Sequence, residues 1–281
     1  MAKLLDGNTI SKQIKSEVKA EIQRLGIVPG LAVIIAGHDP ASRIYVDSKK
    51  KDAAFCGIKS EEFTLKGDEG DDKLLSIINQ LNNREDIHGI LVQLPLPSIF
   101  SSQKLVQAIN PKKDVDAFHF ENIGRVFAGE DGFVPCTPAG VMEMLKYNNI
   151  EIEGKHCVVV GRSNIVGKPQ AMLMLAKNAT VTIAHSRTKN LAEITRNADI
   201  LIAAVGKIGL ITADMVKHNA VVVDVAINRL PNGKICGDVD FKSVEELASY
   251  ISPVPGGVGP MTRAMLMKNT LTAAKGLLNI K

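Results

Sequence analysis

The 281-residue chain lacks tryptophan, and aromatic residues make up only 4% of it. Proteins that bind single-stranded nucleic acid usually stack bases on aromatic side chains, so this shortage argues against such a surface. The formal net charge is +4, and the longest basic run is Lys49–Lys51. We therefore expect no nucleic-acid partner, although a mildly positive chain suits small anionic ligands.

Cysteines are also few, at Cys56, Cys136, Cys157 and Cys236. None forms a Cys-x-x-Cys pair or a zinc spacing, so we expect free thiols in a reducing compartment and no bound metal. No apolar run approaches the roughly 18 residues that span a bilayer. The first residues carry no apolar core of signal-peptide length. We expect a cytoplasmic protein without membrane contact.

Helical and strand patterns alternate along most of the chain. This alternation predicts an α/β protein with two domains, each a mostly parallel sheet flanked by helices. The continuous apolar runs are typical of strands buried on both faces. Predicted helices cover 10–25, 40–56, 72–81, 137–148, 166–176, 191–196, 214–217 and 263–278, and predicted strands cover 31–36, 58–65, 88–94, 156–160, 180–184, 200–205 and 221–225.

The segment Pro253–Thr262 interrupts the alternation with three prolines and three glycines in ten residues. Proline removes a donor and glycine permits positive φ, so we predict a loop of defined shape with exposed backbone donors. A linker between domains is the simpler interpretation of the same composition. The helix after this loop is too short to stand alone. We therefore predict one discontinuous domain, 1–137 plus 263–281, and a second, Rossmann-like domain, 138–262.

A strand, a turn and a helix start follow one another around Gly161 and Gly167. In doubly wound folds this place presents backbone N–H groups to a pyrophosphate. The full Gly-x-Gly-x-x-Gly fingerprint is absent, so a purely structural turn remains an alternative.

The end of the next strand distinguishes between cofactors. Sites for NAD usually carry an acidic residue there, which binds the ribose 2′-hydroxyl. This chain has His185, Ser186 and Arg187 instead, and Arg162 lies in the preceding turn. Cations and a hydroxyl suit the 2′-phosphate of NADP. A solvated loop end is the alternative interpretation.

Tyr45 and Lys49 are four residues apart on a predicted helix, with Ser42 one turn earlier. Residues at this spacing share one helix face. Tyr-x-x-x-Lys occurs at several catalytic sites, but a surface lysine beside a half-buried tyrosine gives the same pattern.

Polar side chains also follow a buried strand and a later helix. Gln93 lies at the carboxyl end of a predicted parallel strand, where such sheets bind ligands. Asp114 and Asp116 lie in a loop further on. Each aspartate is as well explained by a cap or a turn as by a ligand contact.

Taken in order, these motifs resemble the bifunctional methylenetetrahydrofolate dehydrogenase/methenyltetrahydrofolate cyclohydrolase family over nearly the whole chain. Two departures are Ala117 and Ala226, where the family usually has glycine. The motifs that carry the resemblance are Tyr45-x-x-x-Lys49, Val92-Gln93-Leu94-Pro95-Leu96-Pro97, Lys113-Asp114-Val115-Asp116, Gly161-Arg162-Ser163, His185-Ser186, Gly237-Asp238-Val239 and Pro253–Thr262.

The resemblance implies NADP-dependent oxidation of 5,10-methylenetetrahydrofolate, then hydrolysis of the methenyl product to 10-formyltetrahydrofolate. It also implies a multifunctional homodimeric enzyme of one-carbon metabolism and purine biosynthesis. The catalytic residues it implies are Lys49, Tyr45, Gln93 and Asp116. The substrate-binding residues are Ser42, Tyr45, Leu94, Asp116, Pro255, Gly256 and Gly257. The cofactor-binding residues are Gly161, Arg162, Ser163, Gly167, His185, Ser186, Arg187, Val205, Gly206 and Ile227.

Two other functions remain open at this point. A different NADP-linked two-domain dehydrogenase, similar to shikimate dehydrogenase, explains the second half of the chain but not Tyr45, Lys49, Gln93 and Asp116 together. A non-catalytic folate- or nucleotide-binding protein is the other alternative. The presence of Lys49 argues against it.

Overall fold

The computed structural model describes residues 1–280, apart from the side chain of Ala41. The strands are β1 (Lys3–Leu4), β2 (Gly30–Ala36), β3 (Lys59–Leu65), β4 (Gly89–Val92), β5 (His156–Val160), β6 (Thr180–Ala184), β7 (Ile200–Ala203), β8 (Val221–Asp224), β9 (Asn228–Arg229), β10 (Ile235–Cys236) and β11 (Tyr250–Ile251). The helices are α1 (Gly7–Leu25), α2 (Pro40–Cys56), α3 (Gly70–Asn83), α4 (Ser102–Gln107), α5 (Phe120–Ala128), α6 (Cys136–Tyr147), α7 (Gly167–Leu175), α8 (Leu191–Thr195), α9 (Phe241–Val244) and α10 (Val258–Leu277), with a 3-10 turn at Ala213–Met215.

The predicted α/β class is confirmed, and the long elements lie close to their predicted positions. Two predicted strands are too long, because β4 ends before Gln93 and β7 ends before Ala204. After β4, Pro95 has no N–H with which to continue the pairing. After β7, Gly206 has a positive φ, which is incompatible with a regular strand. Seven elements are missing from the prediction, most of them short, namely β1, α4, α5, β9, β10, α9 and β11.

The prediction of a loop over all of Pro253–Thr262 is wrong at its C-terminal end. Helix α10 begins at Val258, so Pro260 is its third residue. The first four N–H groups of a helix have no intrahelical partner, and proline is therefore tolerated there. The irregular part of the segment is short and ends at Gly257.

The chain divides into two compact units. Unit A consists of Met1–Ser11, Val126–Glu130 and Thr137–Thr262, and unit B contains the remaining residues, 12–125, 131–136 and those from Arg263 onward. The first eleven residues group with unit A, in contrast to the predicted boundary, because β1 pairs with β11. No periodic pattern marks the two-residue β1. Which ligand each domain binds stays a prediction.

Unit A contains a six-stranded sheet in the order β1-β11-β8-β7-β5-β6, and every recorded strand pair is parallel. From β5 the chain adds β6 on one side and then β7 on the other. This reversal is the topological switch point at which doubly wound sheets bind ligands, beyond the carboxyl ends of the strands. Helix α7 packs directly on β5 and β6.

Unit B contains a three-stranded parallel sheet in the order β3-β2-β4. The central strand β2 is buried at all seven positions, as its apolar sequence predicts. Beyond β4, Asp114 forms an isolated parallel bridge to Ile90, so the predicted acidic loop runs beside the sheet. Helix α2 follows β2 and packs on β2 and β3.

No helix within residues 1–280 is long and apolar enough to cross a membrane. One polar side chain of unit A, that of Gln170 on α7, is fully buried. Its Nε2 donates to the Met142 Sδ at 3.5 Å, and its Oε1 has no partner among the described residues. A buried acceptor without a donor destabilises the folded state.

We predict that Gln170→Met raises the melting temperature by about 2–4 °C, because it removes the unpaired acceptor and nearly keeps the side-chain volume. Differential scanning calorimetry measures the change. Gln170→Glu is the matched control and is expected to lower the melting temperature, since it buries a charge at the same place. A Gln170→Met protein that melts below the wild type would contradict this account.

Candidate active site

Helix α2 carries the first candidate side chains and begins with a well-formed cap. The Asp39 Oδ2 accepts hydrogen bonds from the Ser42 backbone N at 2.8 Å and from the Ser42 Oγ at 2.7 Å. Pro40 is the first helical residue, where its missing N–H costs nothing. Ser42 is buried and its hydroxyl donates to Asp39, and its contact with substrate stays a prediction. Tyr45 is partly buried one turn further along.

Lys49 and Gln93, two of the predicted catalytic residues, are in contact. Lys49 is 9% exposed, and its Nζ donates to the Gln93 Oε1 at 3.0 Å. The Gln93 Nε2 donates to the Leu94 carbonyl oxygen at 2.6 Å, which fixes the orientation of the amide. The Gln93 backbone N donates to the Ile34 carbonyl oxygen at 2.8 Å, extending the β2–β4 pairing by one residue. The sheet thus positions the side-chain amide of Gln93, and this amide in turn binds the Lys49 amine.

Asp116 lies beside this pair. Burial is the main cause that raises the pKa of Asp116 to about 6, and the Asp114 carboxylate raises that pKa further. The positive charge of Lys49 acts in the opposite direction and lowers that pKa. The site therefore combines an amine, an amide and a carboxyl group that titrates near neutral pH.

Cys136 is a site residue that sequence reasoning missed. Its thiol donates to the Val115 carbonyl oxygen at 3.3 Å, and it is almost fully buried. Burial, helped by the nearby Asp116, raises the pKa of Cys136 well above its ordinary value, so the thiol stays neutral. The Asn269 Nδ2 on α10 donates to the Val115 carbonyl at 2.9 Å and to the Val134 carbonyl at 3.1 Å. The only nearby signal in the sequence was the pair Pro135 and Pro138, which lie directly before Cys136 and two residues after it.

Asp114 has a structural role, as one of its two interpretations suggested. It is 1% exposed, and its Oδ2 accepts from the His119 backbone N at 2.8 Å and the Asn122 Nδ2 at 2.9 Å. Burial raises the pKa of Asp114. Ala117 has a φ of 59°, in the left-handed region that favours glycine. This explains the glycine that the family resemblance leads one to expect there.

In unit A, the Gly161 turn lies at the switch point. Gly161 has a φ of 136°, and a Cβ there would collide with the Ala204 carbonyl oxygen at the end of β7. Only glycine permits this close approach of two strand ends. The Gly161 backbone N also donates to the Ala184 carbonyl oxygen at 2.8 Å, which joins the turn to the end of β6.

The start of the helix after this turn is capped by a side chain of the turn. The Ser163 Oγ accepts hydrogen bonds from the Val166 backbone N at 3.1 Å and the Gly167 backbone N at 3.2 Å. Two of the N–H groups expected to face a pyrophosphate are therefore capped by a side chain of the same turn. Ser163 itself is exposed.

The predicted phosphate-binding residues lie at the ends of neighbouring strands. Val160 is in register with Ala184, so the turns that carry Arg162 and Arg187 start side by side. Both arginines and Ser186 are exposed. Within residues 1–280, neither arginine forms an ion pair with a carboxylate. His185 closes its own turn, since its Nδ1 accepts from the Arg187 backbone N at 3.1 Å.

The remaining predicted residues also lie in unit A. Val205 and Gly206 follow β7, Ile227 follows β8, and all three are exposed. Pro255 and Gly256 are at least partly exposed, Gly257 is buried, and the Gly256 carbonyl oxygen accepts from the Asn8 backbone N at 3.2 Å. The predicted catalytic residues Lys49, Gln93 and Asp116 are thus in unit B. The residues predicted to bind the cofactor phosphates and the Pro253–Gly257 segment are in unit A.

Family models match both parts of the chain. "Tetrahydrofolate dehydrogenase/cyclohydrolase, catalytic domain" matches residues 5–116, and "Tetrahydrofolate dehydrogenase/cyclohydrolase, NAD(P)-binding domain" matches residues 135–277. The chain is 56% identical over 277 residues to the "Bifunctional protein FolD" of Acetivibrio thermocellus, covering 98% of this chain and 97% of that protein.

Solved structures agree with the sequence relatives. A bifunctional FolD methylenetetrahydrofolate dehydrogenase/cyclohydrolase from Campylobacter jejuni has a TM-score of 0.96 at 50% identity, covering 98% of this chain and 99% of that one. The FolD of Trypanosoma brucei, complexed with NADP cofactor and an inhibitor, has a TM-score of 0.95 at 38% identity, covering 99% and 98%. A shikimate dehydrogenase from Peptoclostridium difficile reaches only 0.50 at 12% identity, covering 90% and 92%, which is a likeness of fold alone.

We predict that Asp116 titrates with a midpoint near pH 6 and that Lys49→Met moves this midpoint upward. The reason is that the variant removes a positive charge that favours the carboxylate. Carbon-13 NMR of labelled aspartate measures the midpoint. Lys50→Met is the matched control. Lys50 lies on the same helix as Lys49 but pairs with Glu62 on β3, so the variant is expected to leave the midpoint unchanged. A midpoint near 4 in the wild type would contradict the described burial.

Proposed function

The chain belongs to the tetrahydrofolate dehydrogenase/cyclohydrolase family, and we propose that it oxidises 5,10-methylenetetrahydrofolate with NADP⁺ and then hydrolyses the methenyl product. The product of the second step is 10-formyltetrahydrofolate. The contact between Lys49 and Gln93, with Asp116 beside it, is the observation that carries the proposal. A dehydrogenase similar to shikimate dehydrogenase does not explain Lys49, Gln93 and Asp116 together, and the likeness to a solved shikimate dehydrogenase is one of fold alone.

Asp116 is proposed to bind the pterin. The amino-pyrimidinone edge of the pterin presents adjacent N–H donors, and an ionised carboxylate accepts both. With its pKa raised to about 6, Asp116 is ionised at neutral pH and becomes protonated in mild acid. Tyr45 and Leu94 are proposed to contact the rest of the folate from α2 and from the segment after β4. Pro255, Gly256 and Gly257 are also proposed substrate contacts.

Lys49 is proposed to handle the proton in the hydrolytic step. The methenyl group is a cation and already electrophilic, so the enzyme needs only to place a water molecule and accept its proton, a step that requires the unprotonated amine of Lys49. Gln93 Oε1 can only accept a hydrogen bond, so it directs one N–H of Lys49 and thereby orients the amine. Water adds to the methenyl carbon, the ring C–N bond breaks, and one proton leaves.

The residues at the switch point fit NADP. Gly161 allows the tight turn, and the exposed Arg162, Ser186 and Arg187 at two adjacent strand ends offer donors for a 2′-phosphate. When bound, NADP⁺ accepts the hydride of the methylene carbon. We propose Ser163, His185, Val205, Gly206 and Ile227 as further cofactor contacts, with Ser163 also capping α7.

We also propose a cytoplasmic homodimer that binds no nucleic acid. The dimer follows from the family resemblance, and the other two properties follow from composition and charge. Sedimentation equilibrium tests the dimer, and a monomer at micromolar concentration would refute it.

Two absorbance assays test the proposed function. Adding NADP⁺ to enzyme and methylenetetrahydrofolate should produce the near-ultraviolet absorbance of methenyltetrahydrofolate. In the second assay, methenyltetrahydrofolate is supplied without cofactor, and the enzyme should remove it faster than buffer does. An enzyme that fails both assays does not have the proposed function.

We predict that Arg162→Gln weakens NADP⁺ binding by about 10- to 150-fold while hardly affecting NAD⁺, because one charge-assisted contact to the 2′-phosphate is lost. Wild-type enzyme should accordingly have a higher kcat/KM with NADP⁺ than with NAD⁺. Arg196→Gln, which changes an exposed arginine that donates to the Asp214 carbonyl, is the control. Equal weakening of both cofactors by Arg162→Gln would remove it from the 2′-phosphate site.

We predict that Lys49→Met abolishes the cyclohydrolase and leaves NADP⁺ affinity unchanged, because only the amine is removed from an otherwise similar side chain. Some loss of dehydrogenase activity is expected, and it should be the smaller effect. Decay of supplied methenyltetrahydrofolate above the buffer rate measures the hydrolysis. Lys50→Met keeps both activities if the effect is specific. A folded Lys49→Met enzyme with wild-type hydrolysis would exclude Lys49 from the mechanism.

A further inference from the structure

Asp238 is a fully buried carboxylate with four hydrogen-bond donors around it. Its Oδ2 accepts from the backbone N atoms of Val205 at 2.8 Å and Gly206 at 3.0 Å. Its Oδ1 accepts from the Lys207 backbone N at 2.6 Å and the Asn228 Nδ2 at 3.0 Å. A carboxylate offers about four acceptor sites, so this one is saturated. Three successive amides of one loop therefore point at a single side chain.

A second buried carboxylate holds the segment that carries Asp238. The Asp224 Oδ1 accepts from the Asp238 backbone N at 3.0 Å, and its Oδ2 accepts from the Val239 backbone N at 2.8 Å. A Cβ on Gly237 would collide with the Asp224 carboxylate, so the chain comes this close only as glycine. Burial raises the pKa of Asp224 to about 6. Asp224, at the end of β8, thus fixes the position of Asp238.

Neither carboxylate has an ion-pair partner within residues 1–280. Burying an anion without a cation costs several kcal/mol, which backbone donors must offset. An apolar side chain in the same place would leave these four donors without their acceptor, so the carboxylate is the group that joins the two segments. What the pair orders is the backbone after β7 and the start of the segment after β8. Val205, Gly206 and Ile227, on these two segments, are exposed beside the switch point.

We propose that Asp238 is a positioning residue for the dinucleotide, which it serves by fixing the Val205–Lys207 loop and Asn228 in the binding-competent conformation. This inference rests on the proposed function, since the ligand is the NADP cofactor of that reaction. Asp238 has no exposed surface and acts only through the two segments. A loop ordered before the ligand arrives loses less conformational entropy on binding.

The decisive variant is Asp238→Asn, which keeps the shape and replaces one acceptor oxygen with a donor that faces backbone N–H groups. The expected result is a Kd for NADP⁺ about 10- to 100-fold higher at about pH 8, where Asp224 is ionised. Hydrogen exchange of the Val205, Gly206 and Lys207 amides should become at least about tenfold faster in the cofactor-free protein. Cyclohydrolase activity on supplied methenyltetrahydrofolate should remain at the wild-type rate, because that step uses no cofactor.

Asp240→Asn is the matched control. Asp240 lies two residues further on, is exposed, and accepts from the Ser243 Oγ at 2.8 Å, so the variant should leave cofactor affinity and amide exchange unchanged. If Asp238→Asn fails to fold, Asn228→Ala removes one donor and leaves the carboxylate, with an expected rise in Kd of about 3- to 10-fold.

The outcomes distinguish a failure of the positioning role of Asp238 from a failure of the proposed function. A folded Asp238→Asn protein that binds NADP⁺ within twofold of the wild type overturns the positioning role, whether or not its loop exchanges faster. An unchanged Kd in Asn228→Ala overturns it where only that variant folds. Equal loss of cyclohydrolase and cofactor binding means that Asp238 serves the fold alone. A wild-type protein that binds no NADP⁺ refutes the proposed function, and the amide exchange still reports on the loop.

Discussion

Parallel pairing of buried strands decides where chemistry is possible in each unit. In a parallel sheet all carboxyl ends lie at one edge, and a change in the direction of strand addition opens a crevice there. In unit B the pairing of β4 with β2 extends one residue to Gln93, and the amide of Gln93 then holds Lys49. In unit A the same pairing places the turns after β5, β6 and β7 side by side. The positions of the polar side chains at the strand ends therefore depend on the backbone hydrogen bonds between the strands.

The two units handle buried charge differently. Asp116 lies near the Lys49 amine, which favours its ionised form, while burial raises its pKa to about 6. A group poised in this way responds to the protonation of its neighbours and suits a site that moves protons. Asp238 has no cation and is saturated by N–H donors, three of them from one loop. Such a group orders the backbone around it.

Much of this arrangement could be predicted from the sequence, because periodicity marks long elements and their ends. The positions of Lys49 on α2 and of Gln93 after β4 followed from the apolar runs beside them. The short strands β1 and β11 and the segment of unit A at the N-terminus could not be predicted, since two residues carry no period. The start of α10 was missed because proline and glycine indicate a loop, whereas the first helical turn tolerates both.

The site residues that escaped prediction are those whose role depends on contacts distant in sequence. Cys136 shares no motif with Asp116, and Asn269 reaches the Val115 carbonyl across 154 positions. Asp238 lies within a motif of the family resemblance, yet its four donors come from segments 10 to 33 residues away. A sequence pattern identifies groups that can react, because reactivity belongs to the residue type. Groups that position others are defined by partners, and partners become visible only when the chain is folded.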